Sequence, residues 1–497
     1  IFSRENLHQL IDEKMRGTRF VVVANREPYI HEWDGESVRI IRPASGMTSA
    51  LHPVMLACDG TWVGHGSGSA DRAVVDEHDR IRVPPEEPSY TLRRVWLTDE
   101  QIEGYYFGMA NGGLWPLCHI TFTRPQFSPK DWQTYREVNQ LFADAVLQEV
   151  GSDPAFVFIQ DFHFCLLPRM LKSANPRLII AQFWHVPWPN REVFRTFPWG
   201  EELLDGLLGN DLLGFHVHYH CLNFMDTVDR GIEARVDEDR FAVHRGGRAT
   251  LVRPFPISID FEEHDRQARK PEVEHAMARW RRELQLEEGC LGVGIERLDY
   301  TKGIPDRIRG IDYLLQTHPE YRGRLRFLQV AVPSRGQVPA YQQIDAEVDD
   351  AINAVNERWR TPDWEPISYV KRHQGLVDMI ALHRLCQFCI VSSLHDGMNL
   401  VAKEFVASRF DEDGVLILSR FTGSARELRD AVMINPFAVG EIAEAMHAAL
   451  SMPPEERRRR MQRMRVQVET NNVYHWAGRI LSSLLKFDLP ASEPEIS

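Results

Sequence analysis

The segment His395-Asp396-Gly397-Met398-Asn399-Leu400-Val401-Ala402-Lys403-Glu404 places two carboxylates around a glycine turn. The apolar run Phe388-Cys389-Ile390-Val391 ahead of it reads as a buried parallel strand, and residues 400–407 as a helix. Open α/β sheets bind ligands at the carboxyl ends of their strands. Backbone amides at a helix N-terminus suit a phosphate. Carboxylates such as Asp396 and Glu404 suit paired hydroxyls. One segment could therefore hold both ends of a sugar nucleotide. The competing reading is an ordinary strand-to-helix loop with a capping Asp396.

Cations stand at similar places. Arg297 and Lys302, in Glu296-Arg297-Leu298-Asp299-Tyr300-Thr301-Lys302-Gly303, follow another apolar run. A planar fork and a point charge can converge on one diphosphate; the alternative for Arg297 is a salt bridge to Asp299 or Glu296. Gly292-Val293-Gly294 precedes the turn and lacks a third glycine, so it is not a dinucleotide fingerprint. Arg335 ends a further strand. Arg26 ends the first strand of the chain, and Ser45-Gly46 follows after an irregular stretch. If two halves face each other by their strand ends, Arg26 and Arg335 meet over a second phosphate. Asp161, in Gln160-Asp161-Phe162-His163, and His185, in Trp184-His185-Val186-Pro187, close neighbouring strands at the floor of that expected cleft. Tyr105-Tyr106 and Trp115 supply aromatic faces for a sugar or for the core.

The elements that position these groups follow from periodicity. Residues 156–160 and 178–183 read as strands around a helical stretch at 164–172, a βαβ unit and hence a parallel sheet. Residues 21–25 and 211–215 read as further strands, and 252–259, with Pro254 and Pro256, as an extended connector. A helix at 272–284 precedes a second set of strands at 291–295, 325–332, 388–391 and 415–418. A chain of 497 residues exceeds one ordinary core. The expected fold is α/β: two Rossmann-like domains facing a central cleft, divided as 1–255 and 256–473, with a helix from about 474 packing back on the first.

Composition narrows the partners. The chain carries 58 basic and 71 acidic residues, net −13, which disfavours nucleic acid. The run Arg457-Arg458-Arg459-Arg460 reads as a solvated helix face. No apolar run reaches a membrane span, so no membrane partner is expected. Seven scattered cysteines point to a reducing, cytoplasmic setting. Cys386 and Cys389 lack the second pair that a zinc site needs. His216, His218 and His220 would share one face of a strand, but no carboxylate joins them, and no metal or other cofactor is expected. The sequence leaves a homo-oligomer open.

Taken in order, these segments resemble the trehalose-6-phosphate synthases, retaining glycosyltransferases of the two-domain GT-B arrangement. The resemblance runs from about Arg19 to Leu485 and rests on Tyr105-Tyr106 to Trp115-Pro116, Gln160 to His163, His185 to Pro187, Glu296 to Gly303, Ser334 to Gly336 and Asp396 to Glu404. It implies transfer of glucose from a nucleotide-glucose, UDP-glucose foremost, to glucose 6-phosphate. Donor binding would fall to Gly46, Arg297, Lys302, Asp396, Gly397, Met398, Asn399, Leu400 and Glu404. Acceptor binding would fall to Arg26, Tyr106, Trp115, Asp161 and Arg335. Asp161, His185, Arg297 and Lys302 would serve the chemistry. Departures are His395 where the family commonly has arginine, Ser45-Gly46 for a glycine pair, and His65 for a common tryptophan. Asn25 to Tyr29 looks closer to glucosylglycerol-phosphate synthases, with glycerol 3-phosphate as acceptor; Ser334-Arg335-Gly336 favours the trehalose branch. A non-catalytic sugar-phosphate sensor on the same fold is the third reading.

Overall fold

Short runs of β-branched and aromatic residues build the centre of each sheet. Phe20–Val23, Phe156–Gln160, Ile179–Phe183 and Leu212–Phe215 are buried at every residue, the pattern of strands covered on both faces. The structure is a computed structural model and describes residues 2–43 and 46–489, the side chains at 46 and 49 excepted. The chain divides into two units. One holds residues 2–120, 124–256 and the segment from Val473; the other holds 257–472 with the short stretch 121–123.

Among the described residues of the first unit, ten strands form one sheet. Its parallel core runs Arg248–Pro254, Leu212–Phe215, Ile179–Phe183, Phe156–Gln160, Phe20–Val23, Thr61–His65, Tyr90–Val95. The expected connector at 252–259 is thus partly a strand: Leu251 to Pro254 pair in parallel with Leu212 to Phe215. Pro254 stands at the strand's last residue, where a missing donor costs the ladder little. The histidines 216, 218 and 220 do not share a strand face, because the helix His218–Gly231 has already begun. The helix Val473–Leu484 packs in this unit, with Trp476 edge-on to Phe183 at 5.3 Å.

The second unit carries a six-stranded parallel sheet in the order Ile367–Val370, Leu325–Val332, Cys290–Arg297, Phe388–Val391, Val415–Ser419, Val432–Ile434. Helices such as Ile304–Thr317 and Leu400–Ser408 return from its carboxyl edge. Cys386 and Cys389 are buried free thiols. Arg457 and Arg460 of the basic run bond Asp413 and Glu456, so that run is in part an ion-paired helix face.

One element is invisible to helix and strand periods. Ile102–Leu114 is a π-helix of 13 residues, and it carries Tyr105 and Tyr106. Such long π runs are rare. Two of its glycines, Gly104 and Gly108, lie against the helix Pro129–Val150: a Cβ at Gly104 would come 2.8 Å from Thr134 Cβ. The close approach therefore needs glycine.

Candidate functional site

In the 257–472 unit the strand ends bring the predicted donor residues together. Lys302 Nζ pairs with Asp396 Oδ2 at 2.7 Å. That oxygen also accepts from Ser393 Oγ and Asn399 Nδ2, each at 3.2 Å. The backbone around Asp396 is pinned by its neighbour loop: Asp396 N donates to Phe421 O at 3.1 Å, Gly423 N to Asp396 O at 3.1 Å, and Ser424 N to Met398 O at 3.0 Å. A Cβ at Gly423 would lie 2.0 Å from Gly397 O, so glycine is required for this approach. Met398 is buried, which leaves its backbone as the part able to meet a ligand. Asn399 caps the helix Leu400–Ser408 by accepting from Ala402 N at 3.1 Å, and it holds φ 92° and ψ 95° to do so. The first-turn amides and the helix dipole then face the strand edge, a setting that favours an anion.

Glu404 lies one turn further along this helix. Among the described residues its carboxyl meets no hydrogen-bond donor, and burial pushes it up to about 7. A partly buried carboxylate that meets no protein donor is matched by ligand hydroxyls.

Arg297, Lys302 and Arg335 surround Asp299. Burial pushes Asp299 up, but Arg335, Arg297 and Lys302 together outweigh it and hold the carboxyl below its ordinary range. Tyr341 links two of these groups: its hydroxyl accepts from Arg335 Nη1 at 2.7 Å and donates to Asp299 Oδ2 at 2.8 Å. Glu296, the other expected partner of Arg297, is taken by the buried Arg307 at 2.6 Å. Sequence reasoning missed Tyr341, Ser393 and the supporting role of Asp299. Ser392-Ser393 directly after a buried strand was the one readable signal, since small polar residues at a strand end suit a loop near a ligand.

In the other unit, Asp161 and His185 do meet at adjacent strand ends. His185 N donates to Asp161 Oδ1 at 3.1 Å, and Asp161 N donates to Phe183 O at 2.7 Å. His185 Nε2 lies 2.8 Å from Gln160 Oε1, an acceptor, so the ring carries its proton there. His216 Nε2 donates to His185 O at 3.0 Å. Burial pushes His185 down to about 3, so the imidazole is neutral at neutral pH.

The aromatic residues divide. Tyr106 stacks on His163 at 5.9 Å and 12°. Trp115 is buried and packs against His119 at 4.1 Å and Phe162 at 5.9 Å, so core packing takes most of its surface. Tyr105 is fully buried and donates to Asn25 Oδ1 at 2.8 Å, tying the π-helix to the end of the first strand. Arg26 follows with an exposed side chain. Directly after it the buried Glu27 accepts from Arg94 Nε at 2.8 Å, and Arg94 Nη2 also lies 3.0 Å from Asp71 Oδ1. That network fixes the backbone next to Arg26. Gly46 is the first residue of the helix Gly46–Cys58; otherwise it and Ser45 lie outside the described residues. Arg26 and Arg335 fall in different units.

Backbone strain marks the same places. Asp161 has φ 73° and ψ −176°, Asn399 φ 92° and Arg335 φ 51°. The Asp161 conformation belongs almost wholly to glycine, and strain of this kind collects at ligand sites.

Residues 18–486 match the sequence profile of Glycosyltransferase family 20. The chain is similar to the trehalose-6-phosphate synthase of Mycolicibacterium vanbaalenii, 36% identical over 94% of this chain and 96% of that protein. It is 35% identical to the bifunctional trehalose-6-phosphate synthase/phosphatase of Thermoproteus tenax, over 96% of this chain but only 65% of that longer protein. A crystal structure of an α,α-trehalose-phosphate synthase (UDP-forming) from Burkholderia xenovorans in complex with glucose-6-phosphate superposes with a TM-score of 0.83. There the identity is 29%, over 94% of this chain and 99% of the other. The two-sheet α/β fold is thus of the GT-B class. The chain belongs to glycosyltransferase family 20, the family of the trehalose-6-phosphate synthases.

Proposed function

We propose that the chain moves glucose from a nucleotide-glucose, UDP-glucose foremost, to glucose 6-phosphate with retention, giving α,α-trehalose 6-phosphate and a nucleoside diphosphate. The observation that carries this reading is the group at one sheet edge: Arg297, Lys302 and Arg335 around Asp299, beside a helix whose Glu404 meets no donor among the described residues. The cations match a diphosphate, the helix amides add to them, and Glu404 takes the ribose diol. The same edge supplies Asp396 for glucose hydroxyls once donor phosphate competes for Lys302. In the Burkholderia xenovorans relative the bound ligand is glucose-6-phosphate and the product nucleotide is UDP; both substrates transfer to this chain as part of the proposal. Arg26, Tyr106 and Trp115 then serve the acceptor, with Arg335 for its phosphate and Asp161 for its hydroxyls.

In the reaction the acceptor anomeric oxygen attacks glucose C1 on the face the diphosphate leaves. The C1–O bond to phosphate breaks, and the acceptor proton passes to a leaving phosphate oxygen. Charge developing on that oxygen is met by Arg297 and Lys302, so the step needs no metal. His185, neutral and donating to Gln160, offers shape and its other nitrogen rather than a proton. Seven free thiols fit a reducing cytoplasm, and among the described residues no helix is long and apolar enough to cross a membrane.

Purified protein incubated in chelator with UDP-, ADP- or GDP-glucose and either glucose 6-phosphate or glycerol 3-phosphate tests the proposal. Trehalose 6-phosphate is the expected product. A glycosylated glycerol phosphate alone would move the acceptor assignment, and binding without turnover for every pair would refute the transferase reading.

A further inference from the structure

A second cluster of donor atoms lies away from the ligand edge, where the helix Ile304–Thr317 ends. His318 stands at that end, Glu320 follows in the turn Pro319–Tyr321, and Glu444 and His447 come from the helix Val439–Ser451. His318 presents Nδ1 to Glu320 at 3.3 Å and Nε2 to Glu444 at 3.2 Å. The His447 ring lies over the His318 ring with centroids 3.9 Å apart and planes 17° from parallel. Tyr321 Oη sits 2.7 Å from His447 Nδ1, which leaves Nε2 as the nitrogen directed elsewhere. One ligand atom each from His318, Glu320 and His447 lie within 4.8 Å of one another.

Two imidazole rings and a carboxylate thus bring three metal-ligating atoms to one place. We propose that His318, Glu320 and His447 form a binding site for a borderline divalent transition metal of the Zn²⁺ class, which clips the end of the 304–317 helix to the 439–451 helix.

Imidazole nitrogen and carboxylate oxygen are the donor set such ions prefer, whereas Mg²⁺ and Ca²⁺ favour oxygen alone. Ligand atoms on tetrahedral Zn²⁺ stand about 3.3 Å apart, given bonds of about 2.0 Å. Coordination turns the His447 ring about its soft χ2, out of its stack on His318 and away from Tyr321. The site stands at the amino edge of the sheet, since the strand Leu325–Val332 starts just after it. It therefore acts on stability and leaves the transfer chemistry metal-independent.

The test uses the full chain stripped with chelator, then Zn²⁺, Co²⁺, Mg²⁺ or Ca²⁺ during thermal unfolding. Zn²⁺ at saturation is expected to raise the unfolding midpoint by on the order of 5 °C, and Mg²⁺ and Ca²⁺ by none. Co²⁺ is expected to show the visible bands of nitrogen–oxygen tetrahedral coordination, without thiolate charge transfer. His447→Ala and Glu320→Gln should each abolish the rise while their circular dichroism matches wild type. If His447→Ala fails to fold, Glu320→Gln with the Co²⁺ spectrum decides. No rise in the wild type, or an equal rise in the variants, overturns the site. None of these readouts depends on transferase activity.

Discussion

Replacing Glu404 with glutamine is expected to make the protein more stable and a poorer enzyme. In the native chain burial lifts this carboxyl from 4.5 to about 7. The folded state therefore binds the proton more tightly than the unfolded state does. Stability contributed by that proton is greatest at low pH and is lost as pH rises through about 7. A tenfold change in proton affinity corresponds to about 1.4 kcal/mol, so the ionised group costs the fold about 3 kcal/mol above neutrality. Between pH ~5.5 and ~8.5 the wild type should lose about 2 kcal/mol from this residue alone, a difference that Glu404→Gln lacks. Denaturant unfolding of both proteins at the two pH values isolates the effect, because other titrating groups cancel in the comparison. Glutamine cannot accept two ribose hydroxyls on charged oxygens, so the donor KM should rise about tenfold or more. An identical pH dependence of stability in the two proteins would refute the reasoning. So would a variant of unchanged donor KM.

Three further outcomes follow from the geometry. Arg297→Ala and Lys302→Ala should each lower kcat by about 10²–10³ while the circular dichroism spectrum stays wild-type, because each removes charge that the departing diphosphate needs; rates within about threefold of wild type would remove that role. Gln160→Glu puts a carboxylate 2.8 Å from His185 Nε2, which should raise the proton affinity of the imidazole and add an acid limb to the pH profile of kcat/KM; an unchanged profile would show that the imidazole does not bear on the reaction. Gly104→Ala drives a methyl into Thr134 Cβ and should destabilise the fold by about 1–3 kcal/mol, read as a lower denaturant midpoint.

Much of the donor edge is legible in the sequence because its residues sit in one short loop after one strand. Asp396, Asn399 and Glu404 are fixed relative to each other by a loop and one helical turn, and local geometry follows from local sequence. Lys302 meeting Asp396 is less accessible, since the pairing depends on which strands become neighbours: Cys290–Arg297 lies beside Phe388–Val391. Tyr341 stays hidden for the same reason. It comes from a helix beyond the next strand, and nothing in its surroundings in the chain marks it as the link between Arg335 and Asp299. The histidine run 216–220 misleads because a strand that stops at Phe215 and a helix that starts at His218 leave no room for a period-two face. The π-helix escapes because apolar spacing is read against periods of two and 3.6 only. Trp115, a sugar platform or a core residue by its sequence, sits in packing that favours the core.

The left-handed backbone at Asp161, Asn399 and Arg335 also constrains how this protein can be hardened for use. Glycine adopts such backbone without a Cβ penalty, so placing it there relieves strain. Here glycine at Asp161 or Arg335 would erase a side chain that meets substrate in the proposed reaction, and at Asn399 the cap of the Leu400–Ser408 helix. A screen that selects for survival of heating alone would then enrich robust, inactive proteins. Stabilising substitutions should instead be sought at the amino edges of the sheets and on outer helix faces, where heat resistance and turnover do not compete for the same residues.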